Sequence, residues 1–141
     1  MSKKLLNFIS LLLFIFFTGC GLNVAGIWIS QQSGLAIQII DNGGQLIGTF
    51  YQRPQYSGTY PSQPTTQIPS VLAGMQQIGM ASIRVNNNQI VIQVISSTDS
   101  VALPQGLMFQ GQINDTTMII QANRSSTGYG VPPTLQFVKV N

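Results

Sequence analysis

The feature that most limits what this chain can become is a short-period alternation that recurs from residue 25 to the end. Leu35, Ile37 and Ile39 fall on one face at a period of two, which is the repeat of a half-buried β-strand. Ile90, Ile92 and Val94 alternate with Gln89, Val91 and Gln93. Leu107, Phe109 and Ile113 share a face opposite Gln110 and Gln112. No segment after residue 25 sustains a helical period. The strand-like runs are separated by turn chemistry: Asp41-Asn42-Gly43-Gly44, Asn86-Asn87-Asn88 and Asn114-Asp115. Asn and Gly tolerate the positive φ of tight turns, and Asp bonds to nearby backbone amides.

Eight strands are predicted, at 26–30, 35–40, 45–51, 78–85, 89–96, 106–113, 116–122 and 134–140. The expected class is therefore all-β, an antiparallel meander closed into a β-barrel or stacked as a two-sheet sandwich. Closure would leave no exposed edges. That matters for a chain with few charges to guard an edge. The rhythm breaks at 52–70, where Pro54, Pro61, Pro64 and Pro69 exclude a central strand. A long loop over 52–77 is expected, with Val71 to Gln77 forming either a short helix capped by Ser70 or more loop.

A different pattern occupies the start. Lys3 and Lys4 precede a run from Leu5 to Phe17 that is almost wholly Leu, Ile and Phe, followed by the small residues Thr18 and Gly19. Charge, an apolar stretch of roughly 7–15 residues and then small residues is the layout of a secretory signal peptide. A spanning helix would need about 20 apolar residues. The only cysteine, Cys20, stands where the run stops. With no second cysteine it has no disulfide partner in the chain.

Phe17-Thr18-Gly19-Cys20 resembles the lipobox of bacterial lipoproteins, with Phe17 where that family most often has Leu. The resemblance implies cleavage before Cys20, a diacylglyceryl group on its sulfur and an acylated amine. The implied lipid chains would hold the membrane stably, since one chain alone binds only marginally. The organisation expected is a signal peptide over 1–19, a lipidated tether over 20–24 and one β domain over 25–141. Gly21 is not the Asp that retains enteric lipoproteins at the inner membrane. The resemblance therefore implies the outer membrane, with the domain facing the periplasm. An uncleaved helical anchor and a buried thiol are the other readings of Cys20.

Gly26-x-Trp28 resembles the start of lipocalins and related small barrels. There the Trp plugs the barrel base beneath a cation from near the last strand. Lys139 or Arg124 would supply that cation here. The plain alternative is that Trp28 is a large core residue.

Charge excludes one class. Without Lys3 and Lys4, the cations Arg53, Arg84, Arg124 and Lys139 stand against Asp41, Asp99 and Asp115, a net charge of +1. Nucleic-acid binding needs clustered cations to neutralise phosphates, so no nucleic-acid partner is expected. A surface so poor in charge is less protected against association and suits a permanent protein partner or a membrane anchor.

The parts of an active site are scarce. The chain has no His and no Glu, and its one thiol is the expected lipidation site. Each Asp lies in or beside a predicted turn, where backbone bonding is its ordinary duty. Neither an enzyme nor a metal site is expected, and no cofactor beyond the covalent lipid at Cys20.

Two functions remain. One is an envelope lipoprotein acting as an interaction or structural component of an outer-membrane assembly, with Tyr51, Arg53, Tyr56 and Tyr60 as a partner-binding loop. Tyr and Arg are favoured interface anchors. The other is a lipocalin-like carrier of a small hydrophobic ligand, with Ile37, Ile39, Phe50, Ile92, Phe109 and Phe137 as interior residues.

Overall fold

The computed structural model describes residues 21–54, 70–123 and 134–140. The predicted signal peptide, Cys20, Tyr56, Tyr60 and Arg124 lie outside them.

Eight strands form in chain order: β1 (Gly26–Ile29), β2 (Leu35–Asn42), β3 (Gln45–Gln52), β4 (Gln76–Asn86), β5 (Gln89–Ser97), β6 (Met108–Ile113), β7 (Thr117–Ala122) and β8 (Thr134–Val140). Each pairs antiparallel with the next, and β8 returns to β1 through Trp28↔Lys139 and Ile29↔Val138. The meander is a closed barrel, not a sandwich. The region 71–77 is not a helix of the expected length. A three-residue 3₁₀ turn at Ser70–Leu72 is followed by β4, which begins at Gln76.

Turn chemistry sets the registers. Asn42 pairs with Gln45 across Gly43 and Gly44, which have φ of 65° and 90°, as a primed two-residue hairpin requires. The Asp41 carboxylate accepts the Gly44 amide at 2.7 Å. At β4–β5, Asn87 takes φ 54°. Between β6 and β7 the turn duty falls to Asn114, not to its neighbour Asp115. Asn114 Oδ1 accepts the amides of Thr116 and Thr117 at 2.9 and 2.7 Å.

Alternation sends one face of every strand into the lumen. Trp28, Ile37, Ile39, Phe50, Ile92, Phe109 and Phe137 are all buried there. The Phe50 and Phe109 rings pack tilted with centroids 6.2 Å apart. An outer-membrane barrel has a polar interior and an apolar exterior band. This barrel differs: its interior is aliphatic and aromatic, and its outer face mixes exposed Gln110, Gln112, Gln121 and Gln136 with exposed Ile40, Ile95, Ile119 and Val138. Most of its strands also fall short of the roughly 9–11 residues a spanning strand needs.

A second, smaller cluster lies outside the barrel. Ala36, Tyr51, Leu72 and Met75 are buried together, with Ile27 and Ile29 against them. The 3₁₀ turn and Met75 thus cover the outer face of β1 to β3.

Candidate functional site

The connections divide sharply between the two ends of the barrel. At the end where β1 begins, the strands are joined by the turns at 43–44, 87–88 and 114–116. At the opposite end β1 joins β2 through 30–34 and β5 joins β6 through 98–107, and there β3 and β7 end and β4 and β8 begin. Residues 21–25 lead into β1 at the tight-turn end.

That entry is built into the fold. Val24 is buried in the interior cluster and Leu22 packs against it. The Trp28 indole N–H donates to the Val24 carbonyl at 2.9 Å, a bond an otherwise buried indole needs. Lys139 shares the Trp28 register on β8 and occupies the inward-facing row after Leu135 and Phe137. Its ammonium lies 5.5 Å from the Trp28 ring centroid, within cation–π range. It also donates to the Asn23 carbonyl. Gly26 is needed for this packing. It has φ +137°, and a Cβ there would stand 2.8 Å from Lys139 Cε. Trp28, Lys139, Val24 and Gly26 therefore form one closed base. Sequence reasoning had paired Trp28 with a cation; it missed the tether carbonyls of Asn23 and Val24, which carry no residue-type signal.

The far end is closed by loop 98–107. Asp99 Oδ1 accepts the amides of Val101 and Ala102 at 3.1 and 3.0 Å. This turn drops Leu103 into the lumen, fully buried. Gly79 leaves room for it: a Cβ there would meet Leu103 Cδ2 at 2.8 Å and the Ser96 carbonyl at 2.5 Å.

Of the loop residues singled out from sequence, Tyr51 and Arg53 are among the described residues. Tyr51 belongs to β3, is only 8% exposed, and donates from its hydroxyl to Gln38 Oε1 at 3.3 Å. Burial pushes its phenol above the ordinary 10.0. Its ring is committed to the barrel's own outer cluster. Arg53 follows β3 at the loop end, exposed, with its amide bonded to the Gly34 carbonyl at 3.0 Å. Val101, 64% exposed, lies at the same end. Among the described residues, no three His, Cys, Asp or Glu side chains group as metal ligands would.

No family model, curated protein or solved structure matches the chain.

Proposed function

We propose that this chain is a bacterial envelope lipoprotein, anchored through acyl chains at Cys20 on the periplasmic side of the outer membrane. Its role is non-catalytic: it is an interaction or structural component of an assembly at that membrane. The observation that carries this reading is the polarity of the barrel. Gly21, next to the lipobox-like segment in sequence, leads into the base, which is closed by short turns, while loop 98–107 and the strand ends at 52, 76, 122 and 134 lie at the other end. A barrel tethered in this way holds loop 98–107 and Arg53 away from the bilayer, where a protein partner can reach them.

The Asp41 and Asp99 carboxylates serve backbone turns. The carrier reading would need a lumen able to accept a ligand. Trp28 and Leu103 close the two ends, and four aromatic rings occupy the interior. Interiors of this kind pack to crystal-like density, so a filled core supports the interaction reading over the carrier.

The test is a photo-reactive residue placed at Arg53 or at Asn88 and irradiated in intact cells. A discrete protein adduct from position 53, with none from 88, is the expected result. Recovery of the monomer alone from both positions, together with isolation of the protein without partners in mild detergent, would contradict the proposal.

A further inference from the structure

The tether is almost absent. Leu22 is half-buried against the interior cluster, Val24 is buried within it, and the Asn23 and Val24 carbonyls are held by Lys139 and Trp28. Only Gly21 separates this fixed chain from Cys20; it is exposed, and an added Cβ would find nothing within 4 Å. Two residues at full extension span about 7 Å. Strands of four to eleven residues, most of them six to nine, tilted as closure requires, make the barrel about 20 Å tall. A sulfur held in the bilayer by that short a leash leaves the barrel little room to move off it.

We infer that the base of the barrel rests against the headgroup layer of the bilayer. This rests on the lipidation of Cys20 proposed above, and adds that the fold itself fixes the distance and the orientation. The surface at that end suits the contact. Asn23, Asn42, Asn87, Asn88, Asn114 and Thr116 are exposed there, a rim of amides and a hydroxyl that can bond to phosphate and ester oxygens. Asp41 and Asp115 oppose Lys139 at the same end, so the contact does not depend on a charge excess; the short tether imposes it. Arg53 and Val101 then face away from the membrane, one barrel height above it.

The test uses the full-length protein extracted from membranes and placed in vesicles of phosphatidylethanolamine and phosphatidylglycerol. A fluorophore is attached through Asn88→Cys or Asp115→Cys at the base, or Val101→Cys at the far end, and a nitroxide is carried on a lipid headgroup. Base labels should be quenched several-fold more than the Val101 label. Inserting twelve Gly/Ser residues between Gly21 and Leu22 gives the tether a reach of about 20 Å. It should bring base quenching down to the far-end level while the protein still floats with the vesicles. Equal quenching at both ends, or base quenching untouched by the insertion, in a protein that floats and carries the acyl mass, would overturn the inference and leave the anchor standing. A chain with no acyl mass would overturn the anchor, and the inference with it.

Discussion

Of the described glycines, Gly111 sits closest to a neighbouring strand. It faces Ile120 across β6 and β7, and a Cβ at this position would collide with the Ile119 carbonyl oxygen and stand 2.7 Å from Ile120 Cα. These are backbone atoms, so no rotamer change relieves the overlap. Gly48 differs, because the nearest atoms to its added Cβ are Ile83 Cδ1 at 2.8 Å and Ile37 Cγ2 at 3.3 Å, and the Ile83 side chain can turn. Overpacking a filled core costs about 1–3 kcal/mol. Gly111→Ala is therefore expected to destabilise by about 3 kcal/mol, and Gly48→Ala by clearly less, in urea unfolding of the two variants side by side. Equal effects would show that the β6–β7 approach is not as close as described. The sequence marks Gly111 only as a break in an alternating strand. What it faces depends on a neighbour nine residues further along, and on how strongly the sheet coils there.

At the scale of elements, the outer cluster decides how the long connection leaves and re-enters the barrel. Tyr51 is covered by Leu72 and Met75, and burial disfavours its phenolate. The unfolded chain then releases this proton at lower pH than the folded one. Tyr51 accordingly contributes stability that is full below its ordinary value of 10.0 and is lost as pH rises through the higher folded value. Unfolding midpoints measured from pH 8 to 11 should fall more steeply for the parent than for Tyr51→Phe. Identical slopes would mean that the Tyr51 ring is not covered. The individual strands were legible from alternation and turn residues: β8 begins and ends where expected, and β3 and β5 each run one residue further. The start of β4 was not legible, because the exposed Gln76 and Gln77 carry no apolar signal. The outer cluster was hidden for a related reason. Ala36 and Tyr51 sit on the face that alternation assigns to solvent, and Leu72 and Met75, which cover them, follow the Pro-rich stretch more than twenty residues away. Leu103 likewise falls between the predicted strands 89–96 and 106–113, and only Asp99's turn directs it inward.

For the whole molecule, closure is the property the chain could not announce locally. Barrel and sandwich share the same strands and turns. They part at one long-range pairing, Trp28 with Lys139, which joins the two ends of the domain. That pairing also builds the base that grips Asn23 and Val24, so the contacts that close the barrel also fix the tether. The resemblance carried by Gly26-x-Trp28 implied a cation beside Trp28 and left Lys139 and Arg124 open; nothing in it implied the grip on Asn23 and Val24. The account as a whole rests on what is attached to Cys20. The most direct measurement is the intact mass of the chain extracted from bacterial membranes, compared with Cys20→Ser. The account expects a parent chain that begins at Cys20 and carries a diacylglyceryl group and an acyl chain, and a Cys20→Ser chain that keeps residues 1–19 and gains no lipid. A parent chain with a free thiol at Cys20, or a Cys20→Ser chain cut and membrane-held as before, would contradict it.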